Sequence, residues 1–253
     1  MTDDDAEWRA ELDALNRRLG EHPGWIAQQR WLALRRTVEL HWRNLAELER
    51  VIGAPTKHIE LALELMQNER PPVVREQYWA ALDQRLHNVL ASAFTVVEHA
   101  QRLIEHYVGT AFAAEFERRN DLIKNDSRAV FIRRLRNYRL HYGEPPLAHQ
   151  ITFGADLLPS TFTVQLKATV LRLWGRKNWT ARAWDYLEHV GDYVDLGAVI
   201  VWYRTATVGL FQWLFQQFDK LHGNELDSAN ALIRQYNELL SGEPDIWGTQ
   251  NSL

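Results

Sequence analysis

From Pro23 onward the chain repeats an apolar side chain every three or four residues, placing Trp31, Leu34, Val38, Trp42, Leu45 and Leu48 on one stripe. That is the period of an α-helix, and it constrains the fold more than any other feature of the sequence. The texture recurs through most of the chain, with glycine and proline falling where helix ends are expected. A first helix is read from about Asp4 to Leu19, stopped by Gly20. The Pro23 helix ends near Gly53-Ala54-Pro55, and Thr56 caps a shorter one reaching about Asn68. After Arg70-Pro71-Pro72, helical spacing resumes at Val74 and carries Leu86, Leu90, Phe94, Val97, Leu103 and Ile104 to Val108-Gly109. A brief helix reaches Arg119, and a basic helix follows the polar turn Asn125-Asp126-Ser127 to Tyr142.

Past Gly143-Glu144-Pro145-Pro146 the period shortens. Ile151-Thr152-Phe153 and the run from Phe162 to Lys167 alternate apolar with polar, which predicts a β-hairpin at about 150–167 with Pro159-Ser160 between its strands. Helices resume over Ala168–Trp174, Thr180–Gly191, Leu196–His222 and Asp227–Leu240. The expected architecture is mainly α: an N-terminal helical region over 1–70, a larger helical domain over 73–242 that contains the hairpin, and a tail over 243–253.

The apolar stretch Val194–Phe215 has the length of a membrane span, but Arg204 stands in its middle and Asp195 near its start. A mid-bilayer arginine costs at least about 2.5 to 3.5 kcal/mol, so a central helix of a globular domain is expected, with no membrane partner. Residues Thr2 to Glu7 are acidic where a secretory leader is basic and then apolar, and a cytoplasmic location follows as the expectation. The chain has no cysteine. Disulfides, thiolate metal sites and cysteine nucleophiles are thereby excluded, and the chemistry must run on His, Arg, Lys, carboxylates or hydroxyls.

Of 11 tryptophans, Trp31, Trp42, Trp202 and Trp213 sit on helical stripes and are read as packing residues. Trp174 and Trp179, flanking Gly175-Arg176-Lys177-Asn178, leave more room for a surface role.

A net charge of -4 and a pI near 6.2 argue against a protein coated in nucleic acid. The charge is unevenly placed, however. Arg118, Arg119, Lys124, Arg128, Arg133, Arg134, Arg136 and Arg139 face only Asp121 and Asp126, a net +6 between Arg118 and Tyr142 that leaves -10 for the remainder. Such a segment is either a solvated face paired with the acidic body or a local anion site. At about 100° per residue, Phe131, Leu135, Tyr138 and Tyr142 form its buried stripe, with Arg133, Asn137 and His141 opposite and Arg136 and Leu140 beside them.

Arg136-Asn137-Tyr138-Arg139-Leu140-His141 resembles the signature of the HEPN superfamily of helical ribonucleases: an Arg, commonly followed by Asn, and a His after four to six intervening residues. A long helix bearing Phe94, Glu98, Arg102 and Glu105 precedes it, as in the HEPN bundle, and the resemblance extends from about Tyr78 to His222, interrupted by the hairpin. It implies a HEPN-like helical bundle with an N-terminal helical extension, and metal-independent RNA cleavage in which His141 is the acid/base, Arg136 the phosphate clamp and Asn137 an orienting group. Arg133, Arg134 and Arg139 would extend the RNA contact, with Glu98 or Glu105 as a supporting acid. The resemblance also implies a homodimer, because Arg136 and His141, five residues apart, leave a straight helix about 140° apart. A defence or toxin setting, with an antitoxin or regulatory protein as partner, comes with the family. No cofactor and no metal are expected: Glu98-His99 and Glu105-His106 recur seven residues apart, but Arg102 lies between them. The alternative from another class is a catalytically inactive helical module that binds a nucleotide, RNA or protein.

Overall fold

The structure, a computed structural model, describes residues 3–67, 73–155 and 158–241. The elements run α1 (Asp3–Glu21), α2 (Pro23–Lys57), α3 (Ile59–Met66), α4 (Val73–Glu105), α5 (Ala111–Lys124), α6 (Ser127–His141), β1 (Leu147–Phe153), β2 (Pro159–Lys167), α7 (Ala168–Leu173), α8 (Ala181–His189), β3 (Tyr193–Asp195) and α9 (Leu196–Ser241). The protein is mainly helical with one small antiparallel sheet, as the periodicity predicts. No helix among the described residues is long and apolar enough to cross a membrane. The expected break at Arg70-Pro71-Pro72 and the tail over 243–253 lie outside the described residues. The described parts of 1–33 and 215–253 form one compact unit, and 34–214 forms another.

In the first unit, Trp31 packs edge-on against Phe215 at 4.2 Å and lies 5.4 Å from Phe218, while the Trp8 indole donates to the Leu239 carbonyl at 3.0 Å. These contacts explain a departure from the sequence reading. The two helices expected over Leu196–His222 and Asp227–Leu240 are one, α9, which runs through Gly223 without a break. One glycine costs a helix only about 1 kcal/mol, and the Trp31 and Trp8 contacts hold the chain on both sides of it. The Nδ1 of His22 accepts from the Gly24 amide at 3.1 Å, so its Nε2 carries the proton shared with Ser228 Oγ at 3.2 Å. That ring is an orienting contact and not a base for the serine. Gly24 passes so close to α9 that an added Cβ would lie 2.0 Å from the Glu225 carbonyl oxygen. Gly24→Ala, which on a free helix would stabilise by up to about 1 kcal/mol, is therefore expected to destabilise by about 1–3 kcal/mol, read as a lowered urea midpoint.

In the second unit the core is built where α4, α6 and α8 meet. Leu82, Leu86, Val89 and Leu90 of α4 are buried with Phe131, Leu135 and Tyr138 of α6 and Ala183 and Leu187 of α8. The sheet has the order β1-β2-β3, with Ile151 opposite Phe162 and Leu147 opposite Leu166. Pro159, expected in the turn, begins β2 opposite Phe153, where a strand's first residue needs no ladder N–H. Three-residue β3, too short to show alternation, joins the hairpin through Leu166 opposite Val194. Thr56 caps no helix. It lies inside α2, and its hydroxyl takes the Phe162 amide at 3.1 Å and donates to the same residue's carbonyl at 3.3 Å, tying α2 to β2.

Between α2 and α4 runs a polar seam. Thr37 meets His99 at 2.8 Å, His41 meets Ser92 at 2.9 Å, the Asn44 amide donates to the Asn88 carbonyl at 3.4 Å, and Arg85 faces Glu47 at 3.2 Å. His41 is fully buried, with Tyr203 edge-on at 5.8 Å, and burial pushes its pKa down from 6.5 to about 4. Between those values the unfolded chain holds a proton that the folded chain rejects. The contribution of this ring to stability is therefore complete above pH 6.5 and falls by about 3 kcal/mol as the pH drops to 4. His41→Gln is expected to flatten that part of the profile, seen as a smaller difference between urea midpoints at pH 7 and pH 5 than the parent shows.

Candidate functional site

The basic helix α6 begins at Asp126, whose carboxylate caps the helix by accepting from the Arg128 amide at 2.9 Å and also takes the Arg128 guanidinium at 2.8 Å. Phe131, Leu135 and Tyr138 are at most 3% exposed, as their spacing predicts. Tyr142 is not part of that stripe. It is the C-cap residue, 55% exposed, because the helical angle ends at His141 and its φ of -123° and ψ of -48° turn the side chain outward beside Trp174. Trp179 is buried and donates to the Leu171 carbonyl, whereas Trp174 is half-buried between Tyr138 and Tyr142.

The eight cations of this segment divide cleanly. Arg118 and Arg119 both bind Glu115, at 2.7 and 2.6 Å, Lys124 binds Asp121, Arg128 binds Asp126, and Arg139 binds Asp83 at 2.6 Å. The paired guanidiniums of Arg119 and Arg128 also cover Trp213 and Trp202, at 4.6 and 4.0 Å. Arg133, Arg134 and Arg136 have no carboxylate partner among the described residues. These three line an open groove of about 320 Å³ together with Asn137, over a floor of Leu90, Ala93, Val130 and Ile132. Phe94 and Thr180 complete the rim.

Two of the three groove cations are held by something other than an acid. The Arg136 guanidinium lies over the Phe94 ring at 4.5 Å. Arg133 donates to the Lys124 carbonyl, and burial lowers its pKa, with the Tyr203 hydroxyl opposing and the like charge of Arg134 adding to the fall. An arginine stays charged through such a shift, so the groove carries uncompensated positive charge over an apolar base. That combination suits an anion with an apolar or planar body.

Of the residues expected at the site, Arg136, Asn137, Arg133 and Arg134 are brought together in the groove. His141 is exposed at the end of α6 and is not among the lining residues: it shares a helix face with Arg133 and Asn137 but lies one turn beyond Asn137, at the last residue of the helix. Arg139 points to α4 instead of the groove. Glu98 is half-buried, Glu105 is exposed, and neither pairs with the motif. The acid that reaches the motif helix is Asp83. Its only sequence signal is a carboxylate beside the buried Leu82, because which α4 residue faces the end of α6 depends on how the helices cross. Phe94 also departs from expectation: it lies on the α4 stripe by spacing yet is 43% exposed, since the stripe leaves the core there and the ring meets Arg136. No cluster of three or more His and carboxylate side chains suited to a metal occurs among the described residues.

The Asp83–Arg139 pair is mostly buried and held by a single bond, with Asp83 Oδ1 and Arg139 Nε lacking partners. The Asp83 carboxyl is raised, with burial the largest cause and Glu144 adding to it, against the opposing charges of Arg139 and His87 and the Arg139 hydrogen bond. Asp83→Ala strands the guanidinium and is expected to cost about 1–3 kcal/mol in urea unfolding. The double variant Asp83→Ala/Arg139→Met, which removes both charges, is expected to lose less than the single one.

The chain matches no protein-family model, no curated protein and no solved structure. What the groove can do is decided by its own side chains.

Proposed function

We propose that the protein is a metal-independent endoribonuclease of the HEPN type that acts as a homodimer. The observation that carries this reading is the set of three arginines, Arg133, Arg134 and Arg136, left without acids in one groove while the other five cations of the segment are paired. Unneutralised guanidiniums beside an amide are a site for phosphodiester oxygens. The reaction asks for little else. The 2′-oxygen of a ribose attacks the adjacent phosphorus, the bond to the 5′-oxygen breaks, and a 2′,3′-cyclic phosphate and a 5′-hydroxyl result. One group takes the 2′ proton and another protonates the leaving oxygen, tasks for which imidazole is suited. Arg136 would stabilise the charge on the phosphorane oxygens, and Asn137 would orient the phosphate.

His141 lies outside the groove lining of its own chain, so two copies would pack with both motifs lining one cleft, bringing together two His141 side chains for the two proton transfers and two Arg136 for the phosphate. A role in a defence or toxin system, with an antitoxin or regulatory protein as partner, belongs to the same reading. The position of His141 outside the groove equally favours the second reading, a catalytically inactive module that binds RNA, a nucleotide or a protein.

RNA cleavage by the purified protein in EDTA separates the two. Cleavage is expected to yield 2′,3′-cyclic phosphate ends and to slow by about 10²- to 10⁴-fold in His141→Ala and comparably in Arg136→Ala. Activity that survives both substitutions, or that requires added metal, overturns the site. Mass in solution at micromolar concentration is expected to be that of a dimer, and a monomer that still cleaves overturns the composite cleft.

A further inference from the structure

We infer that the groove between α4 and α6 seats one unpaired base of the bound RNA, with the Arg136 guanidinium stacked between the Phe94 ring and that base. This rests on the reading of the groove as an RNA site, and adds what part of the RNA enters it.

The lining is of two kinds. Arg133, Arg134, Arg136 and Asn137 form a polar wall, and Leu90, Ala93, Val130 and Ile132 form an apolar floor. A phosphate alone would use the wall and leave the floor wet. A nucleotide uses both, because its base is a flat, weakly hydrated plate joined to an anion. A volume of about 320 Å³ suits a single base with part of its sugar, at the small end of ligand sites.

Phe94 supplies the geometry. It is a large aromatic side chain 43% exposed on a helix whose neighbouring Leu90 and Ala93 are buried. The Arg136 guanidinium carbon lies over its ring, 4.5 Å from the centroid, so the ring shields one side of the group and leaves the other toward the groove. A guanidinium has two faces and an edge: a base can stack on the second face while the edge N–H groups hold a phosphate. Asn137, with one donor group and one acceptor, stands in the same wall to meet a base edge. A base inside a duplex has both faces covered and cannot enter.

The test measures binding rather than cleavage. A short single strand with 2′-O-methyl riboses, which 2′-hydroxyl attack cannot cut, is compared with an abasic strand of the same length and charge. The intact strand is expected to bind about tenfold more tightly. Phe94→Ala is expected to shrink the ratio of intact to abasic affinity from about tenfold to near one, and Phe94→Tyr to restore it. Equal binding of the two strands by the parent protein, or a Phe94→Ala loss that falls equally on both, overturns the inference. Cleavage that depends on Arg136 and His141 without any base preference would retire this inference and leave the ribonuclease reading standing. A base preference that depends on Phe94 without any cleavage would do the reverse.

Discussion

Burial of Phe131, Leu135 and Tyr138 fixes how α6 is rolled about its axis, and everything at the groove depends on that roll. Each such side chain is worth about 1.5–3 kcal/mol when removed from water, whereas an exposed ion pair contributes about 1 kcal/mol or less. The apolar stripe therefore decides which way the cations point, and the cations take whatever partners they meet. With Leu135 facing the core, Arg133, Arg134, Arg136 and Asn137 face the groove beside Phe94, and Arg139 is carried round to Asp83. A residue added to or removed from α6 between Phe131 and Arg136 would set the guanidiniums against the stripe, and hydrophobic burial would win.

Paired and unpaired cations differ in the reach of their partners. Glu115, Asp121 and Asp126 lie within four residues of the cations they neutralise, so four of the five pairs form within one helical turn or at a cap. Asp83 alone acts across the fold. The exposed pairs cancel charge more than they hold structure. Four carboxylates answer five cations, Glu115 being shared by Arg118 and Arg119, so most of the charge outside the groove is cancelled and Arg133, Arg134 and Arg136 stand as the acid-free cluster of the segment.

Helices that carry a full apolar stripe were legible in the sequence, and so was the hairpin, because periodicity of 3.6 and of 2 is a local property. Elements set by distant contacts were not. β3 exists because β2 offers it an edge, and α9 continues past Gly223 because Trp31 and Trp8 pack on either side. At the site, the residue types on α6 followed from the helix angle, including the divergence of His141 from Arg136. The partner of each cation did not follow: Asp83, and not Glu98 or Glu105, reaches the motif helix, and Phe94 leaves the core to lie under Arg136. Those facts depend on the crossing of α4 and α6, which no single segment encodes.

Three like charges on one turn of helix are a cost to the folded chain. Neighbouring guanidiniums near a surface repel by something of the order of 1 kcal/mol per pair, and a carboxylate in place of Arg134 would relieve it. The fold offsets the cost without neutralising the charge: Phe94 places a negative ring face under Arg136, a carbonyl takes Arg133, and Asp126 caps the helix that carries all three. A ring face and a carbonyl hold a guanidinium while leaving its full positive charge to act outward, which a carboxylate would not. An anion entering the groove would therefore complete an electrostatic balance that the chain leaves open, and its binding would add to the stability of α6 by mass action.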